Sequence, residues 1–322
     1  MKVLITGVAG FIGSNLASRL IKEGHEVIGL DNLAYGLREN IPDGVHFHYL
    51  DIRDQSIYRA FEGADAVFHL AAKNCIADCQ EDPVETADIN VRGTVNVFEA
   101  AKRAGVKKII YAESSALYEG SKVFPTPESE VNPESFYAVS KLASMYFAEA
   151  YQRFHGSSTN EPSAMSHQPL NFTALRYFCV YGPVQDYRRT IPPVMSAFII
   201  KLLRGETPII YGTGEKRRDF VYVEDVNDFH LMCLKDGRTD NRVFNLASGV
   251  NYSVNEIYEM VSELLDIHIP PIRKPDLPGE AERTLADIGE ATSLDWMPKT
   301  DIKTGLLNAI AYIKSEMAKG NI

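Results

Sequence analysis

Three residues in the first half of the chain have the types needed to move a proton to or from a hydroxyl group. Tyr137 and Lys141 are four residues apart on a predicted helix, so their side chains share one face. A phenol titrates near ~10 and is a poor base at neutral pH, but a neighbouring ammonium favours the phenolate and lowers its pKa. Ser114 is a hydroxyl that could bind the same substrate oxygen, so the three residues predict a general acid/base centre. The alternatives are a surface or packing pair for Tyr137 and Lys141 and a polar strand end for Ser114.

The N-terminal segment predicts a binding site for a dinucleotide. An apolar run over residues 2–6 is typical of a buried strand, and Gly7, Gly10 and Gly13 lead from it into an amphipathic segment over residues 14–23. Strand, glycine turn and helix let the backbone approach a pyrophosphate, which binds at the helix N-terminus. The spacing is Gly-x-x-Gly-x-x-Gly rather than the commoner Gly-x-Gly-x-x-Gly, and a tight turn without a ligand is the alternative.

A carboxylate follows the second predicted strand. The strand covers residues 26–30 and ends at Asp31, eighteen residues after Gly13. A carboxylate there would accept hydrogen bonds from ribose hydroxyls and repel a 2′-phosphate. The position therefore favours NAD over NADP.

Composition and charge exclude several classes of function. The 322 residues are 45% hydrophobic and 24% charged, which is typical of one large or two smaller globular domains. A net charge of −10 without a basic stripe argues against a nucleic-acid partner, and no apolar run approaches the ~20 residues of a membrane span. The spacing of Cys75, Cys79, Cys179 and Cys233 suits neither a metal site nor a disulfide framework, so we expect free thiols in the cytoplasm.

Strands and helices alternate along the first part of the chain. Apolar runs fall at 2–6, 26–30, 45–49, 66–70 and 107–112. Helical patterns fall at about 12–23, 54–61, 82–104 and 137–155. This alternation predicts an α/β fold with a Rossmann-type, doubly wound parallel sheet.

Short segments in a fixed order carry a resemblance to a known family. They are Gly7 to Gly13, Asp31, Asp51-Ile52, His69 to Ala72, Asn90-x-x-Gly93-Thr94, Tyr111 to Ser115, Tyr137-x-x-x-Lys141, Leu175 to Phe178 and Arg218 to Val221. Together they resemble the extended short-chain dehydrogenase/reductases, specifically the NAD-dependent nucleotide-sugar epimerase/dehydratase family. The resemblance runs from about residue 1 to residue 312.

The resemblance implies a role for each matched residue. Ser114, Tyr137 and Lys141 would be catalytic, and Lys141 would also hold the nicotinamide ribose. The residues implied to bind NAD are Gly7, Gly10, Phe11, Ile12, Gly13, Asp31, Asn32, Asp51, Ile52, Leu70, Ala71, Ala72, Asn90, Tyr137, Lys141 and Tyr177. Those implied to bind the nucleotide-sugar substrate are Ser114, Ser115, Cys179, Arg218 and Arg283.

The resemblance also implies a domain division and an assembly. Residues 1–181 would form the NAD-binding domain and residues 182–322 a smaller α/β substrate lobe, with segments near 218–247 returning to the first domain. The helices at 82–104 and 137–155 would pair with their copies as the four-helix bundle of a homodimer. Residues 156–171 have turn-rich composition and predict an exposed insertion.

The residues after Ser114 bear on the reaction. A dehydratase needs an extra acid and base there, usually a carboxylate, whereas this chain has Ser115-Ala116, and alanine cannot transfer a proton. We therefore expect a 4-epimerase with a transient 4-keto intermediate. A net dehydrogenase or keto-reductase remains the alternative, and a 4,6-dehydratase is less favoured.

Several substrate positions differ from the family pattern. Cys179 replaces an asparagine that normally helps to hold the diphosphate, and Glu119 precedes Gly120 where relatives have Tyr-Gly directly. Leu277 and Glu282 stand where relatives often carry arginine. These departures leave the sugar and the nucleotide base open.

Overall fold

The computed structural model of the chain describes residues 1–155, 170–188, 192–276 and 281–322. They form two compact units. The segments of unit 1 are Met1–Ser121, Glu128–Tyr177 and Asn227–Phe244. The segments of unit 2 are Lys122–Pro127, Phe178–Val226 and Asn245–Ile322.

The main sheet of the described residues has seven strands. Numbered along the chain, they are β1 (Lys2–Thr6), β2 (Glu26–Asp31), β3 (Val45–Tyr49), β4 (Ala66–His69), β5 (Lys108–Ser114), β6 (Asn171–Tyr177) and β10 (Arg242–Leu246). Their spatial order is β10-β6-β5-β4-β1-β2-β3, and the pairs among β1 to β6 are parallel. The predicted α/β class with a Rossmann-type parallel sheet is confirmed.

Helices of unit 1 cover the sheet. They are α1 (Phe11–Lys22), α2 (Ile76–Glu81), α3 (Pro83–Ala87), α4 (Thr94–Ala104) and α5 (Phe136–His155). The core between them and the sheet is built from alternate apolar positions, such as Leu4, Val67 and Ile109 of the strands and Val97 and Phe98 of α4. Burial of these aliphatic and aromatic side chains fixes the helices on the sheet.

The predicted helix over 82–104 is not a continuous α-helix. A π-helical turn, Asp88–Gly93, separates α3 from α4. The predicted helix over 54–61 is a 3-10 helix, Gln55–Phe61. Helix α2 was not predicted from the sequence.

π-helical turns inserted in α-helices occur often at functional sites, and the turn Asp88–Gly93 contains Asn90.

The described residues of unit 2 form two small sheets and several helices. Its elements are β7 (Cys179–Tyr181), α6 (Val194–Leu203), β8 (Ile209–Tyr211), β9 (Arg217–Tyr222), α7 (Val223–Lys235, in unit 1 from Asn227 onward), β11 (Asn251–Ser253), α8 (Val254–Leu265), β12 (Ile272–Lys274), α9 (Gly289–Thr292) and α10 (Ile302–Ala318). One sheet has the order β11-β9-β7, and β12 pairs with β8 in parallel. The strand β12 lies between Pro271 and Pro275 and was not predicted from the sequence.

The observed segments of the two units differ from the predicted domain limits. Residues 178–181 and 218–226 belong to unit 2, although the sequence predicted the first domain for them. Residues 227–244 do lie in unit 1, in the region of the predicted return. Most of the predicted insertion at 156–171 falls outside the described residues.

Candidate functional site

The candidate site begins at the carboxyl-terminal edge of the parallel sheet in unit 1. From β1 the chain proceeds outward through β2 and β3 on one side, and then through β4, β5 and β6 on the other. The strand order therefore reverses between β1 and β4. In open α/β sheets, ligands bind in the crevice at such a reversal, outside the carboxyl ends of the strands.

The glycine turn after β1 has the shape required for close contact with a dinucleotide. Gly7 has a φ of +77°, and a Cβ there would lie 2.8 Å from the amide nitrogen of Ala71. A Cβ on Gly13 would collide with the carbonyl group of Gly7. Helix α1 starts after Gly10 without a side-chain cap, so the amides of Phe11 and Ile12 can bind a pyrophosphate. The turn therefore fits NAD.

Asp31 and Asn32 continue the cradle at the end of β2. Asp31 is buried, and its two carboxylate oxygens accept hydrogen bonds from the amides of Ala9 (3.0 Å) and Leu33 (2.8 Å). Burial raises the pKa of Asp31, and the two amide hydrogen bonds oppose this effect. The bond to Ala9 holds the carboxylate against the glycine turn, as contact with an adenosine ribose requires.

Asp51 is held by a partner that sequence reasoning missed. Its carboxylate accepts from the amide, Nε and Nη2 of Arg53 and from Nδ2 of Asn32, all within 2.9 Å. The hydrogen bonds from Arg53 lower the pKa of Asp51 to about 2. Four donors fill the acceptor sites of a carboxylate, so an adenine amino group would have to displace one of them. The neighbouring Ile52 is buried and packs directly on Gly93. A Cβ atom at position 93 would lie only 2.7 Å from the Cδ1 atom of Ile52.

The segment after β4 lies beside the glycine turn. Leu70 donates its amide to the carbonyl of Thr6 (3.1 Å), and Ala71 donates its amide to the Thr6 hydroxyl (3.3 Å). Ala72 follows directly. The small side chains at 71 and 72 leave space at the strand end, as cofactor binding would require.

His69 is a core residue whose two ring nitrogens are both hydrogen-bonded. Nδ1 is 2.7 Å from the Thr6 hydroxyl and Nε2 is 2.9 Å from the Thr94 hydroxyl. Thr94 donates its only hydroxyl proton to the carbonyl of Asn90, so it accepts from a protonated Nε2. Burial lowers the pKa of His69 to about 3, with a contribution from Lys141, so the ring is neutral.

Ser114 ends β5 and begins a 3-10 helix, Ser115–Tyr118. Its hydroxyl accepts a hydrogen bond from the amide of Ala116 (3.1 Å) and remains half-exposed. Tyr177 is its neighbour in the β5–β6 register. Tyr177 is buried, and its hydroxyl lies 2.7 Å from Nε2 of His230. That hydroxyl is thus occupied within unit 1, although a cofactor role was predicted for Tyr177.

Tyr137 and Lys141 occupy the first turns of α5 and are both buried, with 8% and 3% of their surfaces exposed. Burial lowers the pKa of Lys141 to about 8, and the nearby Glu113 opposes this shift. At neutral pH the lysine is still protonated and places a positive charge one helical turn from Tyr137. This charge favours the phenolate that a general base requires.

The π-helical turn is hydrogen-bonded to the start of α5. Asn90 accepts from the amide of Lys73 (2.8 Å), and its Nδ2 donates to the carbonyl of Lys73 and to the hydroxyl of Ser140 (both 2.9 Å). Ser140 donates in turn to the carbonyl of Tyr137 (2.7 Å), and Ser144 donates to the carbonyl of Asn90 (2.7 Å). Asn90 is therefore a scaffold for the helix that carries Tyr137 and Lys141.

Glu119 joins the Ser114 segment to the N-terminus of α5. Its carboxylate accepts from the amide of Ser135 (2.7 Å), the hydroxyl of Ser135 (2.8 Å) and the amide of Glu134 (3.1 Å). The Ser135 hydroxyl accepts from the amide of Ala138 (3.1 Å) and caps the helix. The sequence showed Glu119 only as a departure from the family pattern, because a hydrogen bond to residue 135 has no local signal.

Glu113, which precedes Ser114, is fully buried in an ion pair. Nε of Arg176 donates to its Oε2 at 2.6 Å, and Nη1 of Arg176 donates to the hydroxyl of Tyr118 (2.9 Å). Burial raises the pKa of Glu113, and Arg176 opposes this shift. Thus Glu113 and Glu119, the two glutamates nearest to Ser114 and Ser115 in the sequence, are both engaged in structural contacts.

The remaining predicted residues, Cys179, Arg218 and Arg283, lie in unit 2. Cys179 begins β7 beside Phe220 of β9, and Arg218 lies two residues earlier on β9. The segment that carries Arg283 runs along the start of β9, because Arg217 exchanges backbone hydrogen bonds with Glu282 and Thr284 (both 3.0 Å). The Arg283 guanidinium stacks 5.2 Å from the ring of Phe124.

Asp219 fixes this region of unit 2. It is fully buried and accepts from the amide and hydroxyl of Ser248 and from the amides of Gly249 and Ala286, at 2.8 to 3.1 Å. Burial raises the pKa of Asp219 to about 6. Its bond to Ala286 keeps the Arg283 segment beside β9. The neighbouring Leu277 lies outside the described residues.

Comparison with known proteins agrees with these features. The model of the NAD dependent epimerase/dehydratase family matches residues 3–247. UDP-glucose 4-epimerase of Mycolicibacterium smegmatis is 32% identical over 326 residues, which cover 98% of this chain and 99% of that protein. Every helix of the described residues is too short or too polar to cross a membrane.

Solved structures with ligands share the whole fold. UDP-glucose 4-epimerase of Thermotoga maritima, crystallised with UDP-glucose, is 34% identical with a TM-score of 0.90, and the match covers 98% of this chain and 100% of that one. UDP-glucose 4-epimerase of Thermus thermophilus, in complex with NAD, is 31% identical with a TM-score of 0.87. The match covers 98% of this chain and 99% of that one.

Proposed function

Because this chain belongs to the NAD-dependent epimerase/dehydratase family, we propose that it is a nucleotide-sugar 4-epimerase that keeps NAD as its cofactor. The observation that carries this proposal is the presence of Ser114, Tyr137 and Lys141 together with Ala116, an alanine two positions after Ser114. This set can remove and return one proton but offers no local carboxylate for a second proton transfer.

Each residue of this set has a defined part in the reaction. Tyr137, as a phenolate, accepts the proton of the C4 hydroxyl, and Lys141 stabilises the phenolate by its charge. Ser114 hydrogen-bonds the same oxygen. NAD, when bound, would supply the acceptor and donor of the hydride at C4. The 4-keto sugar turns over between the two transfers, and Tyr137 gives the proton back to the inverted alcohol.

The surroundings of Ser114 support epimerisation over dehydration. A dehydratase must also remove a proton beside the ketone and protonate a leaving hydroxyl. Glu113 is buried against Arg176, and Glu119 accepts hydrogen bonds from the amides of Glu134 and Ser135 just before α5. Neither glutamate is available for that chemistry without loss of a structural contact.

The glycine turn of unit 1 would hold NAD. The amides of Phe11 and Ile12 would bind the pyrophosphate, and Asp31 would bind the adenosine ribose. Lys141 would bind the nicotinamide ribose. The four hydrogen bonds already made by Asp51 favour an adenine contact through the Ile52 backbone rather than through the Asp51 carboxylate.

A UDP-hexose is the proposed substrate, since several relatives that match nearly the whole chain are UDP-glucose 4-epimerases. Arg218 and Arg283 of unit 2 would bind the diphosphate. Cys179 lacks the amide that an asparagine would contribute. Residues 182–322 would form most of the substrate-binding region.

Incubation with UDP-glucose or UDP-galactose tests the proposal. We expect the two C4 isomers to interconvert, as followed by chromatography, without accumulation of NADH. Formation of NADH in proportion to substrate would instead identify a net dehydrogenase. A 4-keto-6-deoxy product would identify a dehydratase, and either outcome would overturn the epimerase proposal.

A homodimer through α5 is a further part of the proposal. The helix exposes a stripe of large apolar side chains at Val139, Tyr146, Phe147 and Phe154, of which Phe154 is 69% exposed. These positions recur at intervals of seven and eight, which places them on one face of a helix. Such a face suits the four-helix bundle of two copies.

Sedimentation equilibrium tests the dimer. The wild-type chain should sediment as a dimer, and Phe147→Glu should shift it towards the monomer, because a charge would be buried in the interface. Glu149→Gln, on the same helix, serves as the matched control. A monomeric wild type would refute this part of the proposal.

We place the protein in the cytoplasm because its four cysteines are free thiols, as is typical of reducing compartments. Fractionation of the source cells tests this location. Recovery outside the cytoplasmic fraction would contradict it.

A further inference from the structure

The ammonium of Lys141 lies over the face of an aromatic ring in β5. Its Nζ atom is 4.5 Å from the centroid of the Tyr111 ring. Both residues are buried, and Tyr111 has no exposed surface. The contact with Lys141 is made by the ring face of Tyr111.

Other titratable groups lie near Lys141. Glu113, also on β5, is paired with Arg176 at 2.6 Å and still opposes the fall in the Lys141 pKa. Burial raises the pKa of the Cys79 thiol on α2, so this group is neutral. His69 of β4 is neutral as well, because burial lowers its pKa to about 3. Tyr137 lies on the same helix as Lys141.

We propose that Tyr111 is a positioning residue for Lys141, and that the electron-rich face of its ring keeps the ammonium in place and protonated. The geometry is that of a cation–π interaction, which is strongest where both groups are removed from water. His69 stacks against the same ring with a centroid distance of 5.8 Å and an interplanar angle of 29°. This contact fixes the plane of the ring beneath Lys141.

The interaction opposes the effect of burial on Lys141. Burial favours the neutral amine and is the main cause of the fall in the Lys141 pKa to about 8, which Glu113 opposes. Removal of the ring face should lower this pKa further, so that Lys141 loses its proton nearer to neutral pH. The consequence for turnover rests on the proposed function, in which the charge of Lys141 stabilises the Tyr137 phenolate. The placement of the ammonium over the Tyr111 ring does not depend on the proposed function.

A pair of variants separates the ring face from the hydroxyl. Tyr111→Phe keeps the face and removes the hydroxyl, whereas Tyr111→Leu removes both and keeps an apolar side chain. The readout is the pKa of Lys141 in the NAD-loaded protein, measured from the ¹³Cε resonance of labelled lysine and assigned by its loss in Lys141→Met. We expect Tyr111→Phe to titrate like the wild type and Tyr111→Leu to titrate about one pH unit lower. Equal titration of the two variants would overturn the proposal.

A second series avoids loss of core volume. Phenylalanine, difluorophenylalanine and trifluorophenylalanine incorporated at position 111 weaken the ring face stepwise with little change in shape. We expect the Lys141 pKa to fall with each step, and the alkaline limb of kcat to move to lower pH in parallel. A constant pKa across the series would refute the proposal. An inactive protein with the stepwise pKa change would refute the epimerase function alone.

Discussion

In unit 1, Tyr137 and Lys141 are buried, and the helix that carries them is held by side chains from several other segments. Asn90 and Glu119 bind that helix through hydrogen bonds of 3.1 Å or shorter. In unit 2, Arg218 is half-buried and Arg283 is exposed.

The comparison shows two ways of building a site. Tyr137 and Lys141 of unit 1 are buried, so a change at either position disturbs contacts within the core. The substrate residues of unit 2 lie on a backbone frame fixed by Asp219, and their side chains can change while this frame persists. Among the departures from the family pattern, Cys179 and Glu282 fall in unit 2, whereas Glu119 falls in unit 1 and is held there by three hydrogen bonds.

The largest effect should come from Tyr137→Phe, which tests whether the buried centre of unit 1 performs the proton transfer. Loss of the general base should lower kcat by about 10³-fold or more, while NAD stays bound. Turnover of UDP-galactose and the NAD content of the purified protein are the measurements. Tyr49→Phe, at a side chain of β3 that is 67% exposed, is the control. Activity undiminished in Tyr137→Phe would remove this residue from the mechanism.

Arg218→Ala tests the substrate frame of unit 2. Loss of a charged contact to the diphosphate should raise KM by about 10- to 100-fold and change kcat much less. Steady-state kinetics with UDP-glucose measure this split. Arg204→Ala removes an exposed arginine from the same unit, where it lies 3.9 Å from Glu206, and should leave KM unchanged. A fall in kcat alone would place Arg218 in the chemistry instead.

Glu119→Ala should show the opposite pattern. The loss of three hydrogen bonds at the start of α5 would displace Tyr137, so we expect kcat to fall by about tenfold while KM is retained. The free energy of unfolding should fall by about 1–2 kcal/mol, as for other lost helix caps.

The Gln variant at position 119 separates geometry from charge. Glu119→Gln keeps an acceptor for the two amides and should recover most of the activity. Glu130→Gln, in the same segment, is the matched control. Equal losses in the Gln and Ala variants would show that the charge of Glu119, rather than its hydrogen bonds, sets the rate.

The main elements of unit 1 could be predicted from the sequence because their signals are local. The apolar runs at 2–6, 26–30 and 45–49 and the glycine turn specify strands and a cradle without reference to distant residues. The π-helical turn could not be predicted in this way. It is associated with hydrogen bonds between Asn90 and residues 73, 140 and 144, which a single helical pattern does not reveal.

The residues that support the site were missed for the same reason, because their partners are distant in the sequence. Glu119, Arg53 and Tyr111 matter through partners that the fold brings close, and each of them has an ordinary local context. Strand β12 was missed because three residues between prolines give too short a pattern, and its pairing with β8 is set by the tertiary fold. Sequence reasoning therefore found the candidate reacting groups but not the groups that hold them.

The smallest expected effect belongs to Cys179→Asn, and it sharpens the contrast between the units most directly. If unit 2 tolerates change because its frame is independent of its side chains, an asparagine at the start of β7 should be accommodated without loss of stability. Its amide would supply one hydrogen bond to the diphosphate, worth about 1 kcal/mol, so KM for UDP-glucose should fall about fivefold at constant kcat. Cys179→Ser, which is nearly isosteric, controls for loss of the thiol. An unchanged KM in Cys179→Asn would mean that the diphosphate does not reach β7, and that the arginines bind it elsewhere on unit 2.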